Sequence, residues 1–241
     1  MSALRATPAR LDDDEAFLRA VPNDTPEAPW MVMNDRQVRG ATALYWSLWN
    51  YKEAHHLPWY VGSMLALLYR RPGMPRRKKV APDVLVAFLP DHPRDSLDVD
   101  AEGMPPFVLE VVSKTSVRRD LEEKERIYRL LGAREYAIVR LDEATARLEG
   151  YKVDDRNRWV RWAADERGRL WSAVLGLWLG LEGDEVCAWT AAGEPLLTPR
   201  QEAEARQAAE AREAAAEREI TRLRAELERL ARAGDTTNWD A

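Results

Sequence analysis

Sulfur, imidazole and glycine-loop chemistry are all poorly represented in this chain. A single cysteine, Cys187, among 241 residues excludes an internal disulfide and a thiolate zinc site, and leaves core packing as its expected role. The histidines are His55, His56 and His92, at a helix end and in a loop. They lack the spacing to one another, or to the cysteine, that a metal site needs. No glycine-rich phosphate loop and no nucleophile elbow occurs. No apolar run approaches the roughly 20 residues of a membrane-crossing helix, and no basic segment followed by an apolar one opens the chain. The expectation is a cytoplasmic protein without a membrane partner. Positive charge is also in deficit, with 36 Lys and Arg against 41 Asp and Glu and a net charge of -5. That balance argues against holding nucleic acid by global charge, so any such role must rest on local clusters.

Two clusters are present. "RRPGMPRRKK" carries Arg76, Arg77, Lys78 and Lys79 with no acid among them, and "KTSVRR" carries Lys114, Arg118 and Arg119. Solvated surface loops also have this composition, so the clusters gain meaning only from what lies beside them.

With 46% hydrophobic residues, the chain can bury one full core with extensions. Residues 1–29 are rich in Ala, Pro and acids without periodicity, and read as a flexible arm with at most a short helix near Asp14 to Ala20. Residues 30–197 read as the folded domain. Residues 198–241 shift to Ala, Glu and Arg and read as one long helix. Its Ile220, Leu223, Leu227 and Leu230 stand at a/d spacing, the pattern of a short coiled coil, and suggest self-association of two copies.

Within the domain, apolar positions from Asp35 to His56 recur at helical spacing and Pro58 ends the run. "WYVGSMLALLY" (Trp59 to Tyr69) reads as one strand, "PDVLVAFL" (Pro82 to Leu89) as a second and Pro106 to Val112 as a third. After these comes a helix closed by Gly132, then a strand over Arg134 to Leu141. Short alternating segments beyond it, separated by "DDRN", "DERG" and "EGDE", read as a β-meander. The class is α/β, in the order helix, three strands, helix, strand.

Phe107-Val108-Leu109-Glu110-Val111-Val112 has the composition of a strand covered on both faces, yet carries a carboxylate in its middle. Buried and unpaired, that carboxylate costs several kcal/mol or more, so Glu110 must be neutralised, paired or bound to a cation. Asp83, at the start of the preceding apolar strand, supplies a second carboxylate, and two carboxylates on adjacent strands can share a hard divalent cation. On the following helix each residue advances about 100°, which puts Asp120 and Lys124 in the same arc as Val117, Leu121, Ile127, Tyr128 and Leu131. Lys124 therefore points toward the sheet. There it can stabilise charge developing on a phosphoryl group, or simply neutralise Glu110. Asp35, Gln37 and Glu53 are the polar candidates from the first helix.

"APDVLVAF", "FVLEVVSKTS", "RRDLEEKERIYRLLGAREYAIV" and the trailing Ala/Glu/Arg-rich helix together resemble the Uma-type restriction endonuclease family of the PD-(D/E)XK nuclease superfamily. The resemblance runs over about Trp30 to Pro199. It implies a restriction-endonuclease-like core, DNA as substrate, and phosphodiester hydrolysis dependent on Mg²⁺ or Mn²⁺. On this likeness Asp83 is the motif aspartate and Glu110 the motif glutamate, while Val112 stands where the superfamily places lysine. The family's lysine lies on the following helix, which matches Lys124. Lys114 stands where proline is common, as a substitute charge or a solvated side chain. Two functions follow: a metal-dependent endonuclease acting through Asp83, Glu110 and Lys124, or an inactive nuclease fold that binds nucleic acid or protein.

Overall fold

The computed structural model describes residues 8–24, 35–112, 117, 119–141 and 145–235, with side chains left aside at 8–12, 120 and 231–235. The chain divides into two units, Met1–Leu196 and Leu197–Ala241. The first opens with helix α1 (Pro8–Ala20) and helix α2 (Asp35–His55). Asp35 at the start of α2 and Lys52 and His55 in its last turn complement the helix dipole.

A mixed sheet of six strands forms the centre, in the order β1 (Tyr60–Gly62), β4 (Val84–Ala87), β6 (Phe107–Val112), β7 (Glu135–Arg140), β8 (Arg147–Val153) and β9 (Trp159–Arg161). β6 and β7 run parallel, joined by the crossover that carries the sequence-predicted helix, and the other pairs are antiparallel. Alternation along β6 is complete. Phe107, Leu109 and Val111 join a core with Leu44 and Leu48 of α2, while Val108 and Val112 join a second core with Leu18 of α1 and Ile127 and Leu131 beyond the crossover. The central strands are thus covered on both faces, as their unbroken apolar composition requires. Gly150 of β8 is set by a close approach: a Cβ there would lie 2.2 Å from the Tyr136 carbonyl oxygen.

Three expectations change. Trp59 to Tyr69 is not one strand but two, β1 and β2 (Ala66–Tyr69), in different sheets. The break is at a bend over Ser63 and Met64, where Met64 has a positive φ of 54° and its N–H bonds the Pro82 carbonyl at 3.1 Å. β2 lies between β3 (Lys78–Val80) and β5 (Ser96–Asp98), so part of the basic loop is itself a strand. A short helix α3 (Val99–Glu102) follows, capped by the Asp98 side chain. The meander also splits: β8 and β9 extend the central sheet, while β10 (Leu170–Ser172), β11 (Leu177–Glu182) and β12 (Glu185–Trp189) form a separate sheet whose Leu177, Leu179, Val186 and Ala188 fill the α2 core.

The crossover helix begins as a π-helical turn, Arg119–Lys124, and continues as α4 (Glu125–Leu131). Gly132 ends it in the left-handed conformation, its N–H bonding the Tyr128 and Arg129 carbonyls. The described part of the N-terminal arm packs on this side of the sheet: Leu18 and Val21 are buried, and Arg126 lies 4.2 Å from the Phe17 ring while bonding Asp14 at 2.7 Å. The second unit is helix α5 (Pro199–Asp235), along which Ile220, Leu223, Leu227 and Leu230 are all exposed.

Candidate functional site

β4 and β6 pair with Val84 opposite Leu109, and continuing that register sets Asp83 opposite Glu110. Alternation along β6 places Glu110 with Val108 and Val112, on the face toward α4. Asp83, Glu110 and Lys124 are 7%, 1% and 4% exposed, so each charge is balanced within the protein.

The Glu110 carboxylate accepts from Lys124 Nζ at 2.8 Å on one oxygen and from the Tyr128 hydroxyl at 2.5 Å on the other. Lys124 ends the π-turn and Tyr128 lies one turn on in α4. π-turns recur at functional sites because they realign side chains within an otherwise regular helix. Asp83 Oδ2 accepts from the Val111 N–H at 2.6 Å, and the Gln37 amide of α2 donates to the Val111 carbonyl at 2.9 Å. The two peptide groups that flank Val111, the residue next to Glu110, are therefore each held by a side chain. Of the other first-helix candidates, Asp35 pairs with Arg39 and Glu53 with Lys52, both away from Glu110.

Arg119 belongs to this centre rather than to solvent. Its guanidinium is buried and pairs with Glu123 at 2.6 Å and Asp24 at 3.1 Å. Burial opposes its charge, but the two carboxylates outweigh burial and its pKa rises. In the other basic cluster, Arg76 is exposed, Arg77 pairs with Asp98 and Lys78 Nζ donates to the Val21 carbonyl; Lys79 is half-buried. Lys114 and Arg118 lie outside the described residues, as does the Asp120 side chain.

Sequence reasoning missed the Tyr128 hydroxyl, Asp24 and the inward turn of Arg119. Tyr128 could have been found: it lies four residues after Lys124 in the same inward arc, and a buried tyrosine needs a partner for its hydroxyl. Asp24 had no signal, since the segment around it shows no periodicity.

Among the described residues no group of three or more His, Cys, Asp and Glu forms a metal cluster. Two facing carboxylates nonetheless fit Mg²⁺, which retains several waters and takes one or two protein carboxylates. A carboxylate oxygen carries two lone pairs, so one hydrogen bond does not by itself bar it from taking a cation. The donor set suits a hard cation and suits no soft one.

The family model described as "Putative restriction endonuclease", Uma2, matches residues 31–186. The chain belongs to this family. Among solved structures, one described as a "putative nuclease belonging to DUF820" from Anabaena variabilis is 11% identical. That match covers 67% of this chain and 89% of the other, with a TM-score of 0.45. No curated protein matches the chain. Asp83, Glu110, Lys124 and Tyr128 all fall inside the segment matched to Uma2, and Asp24 falls before it.

Burial raises the Tyr128 phenol well above 10, with the Glu110 charge adding to it, and raises Tyr69 to about 12. A folded pKa above the unfolded one means that the native state holds its proton longer. The resulting stability is complete below pH 10 and is lost as pH rises through the folded value. Urea unfolding of the wild type is therefore expected to lose stability above pH 10. Tyr128→Phe is expected to start roughly 1–3 kcal/mol lower for want of the Glu110 bond and to fall less steeply. Equal slopes for the two proteins would contradict this.

Proposed function

We propose that this Uma2-family nuclease is a divalent-cation-dependent DNA endonuclease whose centre is Asp83, Glu110 and Lys124. The observation that carries the reading is Glu110 itself. It sits in a strand otherwise apolar on both faces, opposite a second carboxylate and against a lysine delivered by a π-turn. An apolar pair of similar volume would make an equal or better core, so stability alone does not explain the ions.

Asp83 and Glu110 would hold the cation. When bound, Mg²⁺ or Mn²⁺ polarises a phosphoryl oxygen and lowers the pKa of a coordinated water. Tyr128 and the bonds that hold Val111 on both its N–H and its carbonyl fix where the Glu110 carboxylate points. Lys124 would stabilise the negative charge that builds on the phosphate. Arg76, Arg77 and Lys79 are the described cations available to the nucleic-acid backbone, with Lys114 and Arg118 as further candidates. Arg119 holds the arm instead.

A second reading has its own support: both Glu110 oxygens are already satisfied by Lys124 and Tyr128, as in a salt-bridged relic that binds without cutting. Lys124→Met separates the two. If Lys124 serves the phosphate, the cation-loaded variant stays folded, keeps its DNA affinity and loses about a hundredfold or more in single-turnover cleavage at saturating Mn²⁺. If it only neutralises Glu110, the cation-free variant loses about 3 kcal/mol of stability and no cleavage is at stake. Undiminished cleavage by a well-folded variant would reject the assignment of Lys124 and move it to Lys114.

We also propose that α5 pairs with α5 of a second copy. Ile220, Leu223, Leu227 and Leu230 are 46–66% exposed in an a/d series, and a helix of this composition has little else to bury. Truncation at Arg200 is expected to turn a two-chain particle into a single chain in sedimentation, and an unchanged number of chains per particle would dispose of the pairing.

A further inference from the structure

The arm ahead of the family match brings one more carboxylate to the centre. Asp24 is 2% exposed, and each of its oxygens is engaged by a different element. Oδ2 accepts from the Ala81 N–H at 2.9 Å, and Oδ1 accepts from Arg119 Nη2 at 3.1 Å. Ala81 lies two residues before Asp83, and Arg119 opens the π-turn that ends at Lys124. Oδ2 also lies 4.0 Å from Lys124 Nζ, the ammonium that pairs with Glu110 from the other side.

The arm is fastened so that Asp24 has little freedom. The Asp24 N–H bonds the Lys79 carbonyl at 3.2 Å, the Asn23 side chain accepts from the Lys79 N–H at 3.0 Å, and Arg119 also bonds the Pro22 carbonyl at 2.8 Å. A carboxylate this deeply buried is costly unless its charge is matched, so its bonds to Ala81 and Arg119 are conditions of its burial.

We infer that Asp24 is a positioning residue for the Glu110–Lys124 centre, tying the strand entered at Asp83 to the π-turn that carries Lys124. The role rests on the nuclease reading above. Its logic is electrostatic as well as mechanical. Were Glu110 to hold a cation, Lys124 would lose its nearest negative partner, and Asp24, 4.0 Å away, would remain as the second negative charge beside it. The ammonium is then held at the reaction centre rather than following Glu110. No contact between Asp24 and substrate is part of the inference.

A double-mutant cycle tests this. Asp24→Asn keeps an acceptor for Ala81 and removes the charge. In single-turnover cleavage with Mn²⁺ it is expected to slow the reaction about tenfold or more with DNA affinity little changed, and to add nothing in a Lys124→Met background. An equal loss in both backgrounds, or no loss in the first, would overturn the role. A second measurement needs no cleavage. Amide hydrogen exchange of Asp24→Ala is expected to speed up both at 81–87 and at 119–131 while α2 keeps its protection. Faster exchange in only one segment, in neither, or uniformly along the chain would overturn the tie. A wild type that binds DNA but cuts none under any divalent cation would refute the nuclease reading separately, and the exchange result would still decide whether Asp24 joins the two elements.

Discussion

The constraint on which this structure depends is one carboxylate in the wrong solvent. Glu110 lies in a six-residue strand buried along its whole length, where an uncompensated charge is not tolerable. Its neighbours answer that constraint. The π-turn delivers Lys124, the first turn of α4 delivers the Tyr128 hydroxyl, and Ile127 and Leu131 anchor the same helix in the core so that both donors stay in place. On the other face α2 reaches through Gln37 to the Val111 carbonyl, while Asp83 holds the N–H of the same residue. The central sheet, the crossover helix and α2 therefore converge on two adjacent residues of β6.

The essentials of this were legible in the sequence: the unbroken apolar composition of β6 exposes Glu110 as an anomaly, and a 100° step run along the crossover helix puts Lys124 in an inward arc; the structure brings the two together at 2.8 Å. Less was legible where the chain departs from regular geometry. The π-turn breaks the uniform step, and nothing in Arg119-Asp120-Leu121 announces it. The break at Met64 rests on a positive φ that a non-glycine residue rarely adopts, which is why a mostly apolar run, interrupted by Gly62-Ser63, concealed two strands. β3 escaped notice because Lys78 and Lys79 occupy a strand edge, where charge is expected and composition resembles a loop. Asp24 could not be found at all: its meaning comes from Ala81 and Arg119, 57 and 95 residues away.

A buried, fully paired centre has a consequence for catalysis. Lys124 and Glu110 neutralise one another in this structure, so the proposed activity would require an exchange of partners rather than the recruitment of free charges. On the proposed reading, Asp83 and Glu110 would hold a hard cation and Lys124 would serve the phosphate, so that one ion pair would be both core and machinery. The same pairing satisfies both buried charges within the protein itself.

The most direct measurement is the melting temperature of the wild type and of Glu110→Gln over a titration of Mn²⁺ in the absence of nucleic acid. A cation held by Asp83 and Glu110 binds the native state alone, so the wild-type melting temperature rises with cation concentration and the variant's does not. Identical responses of the two proteins would contradict the account, because the cation would then bind somewhere other than the carboxylate around which this site is built.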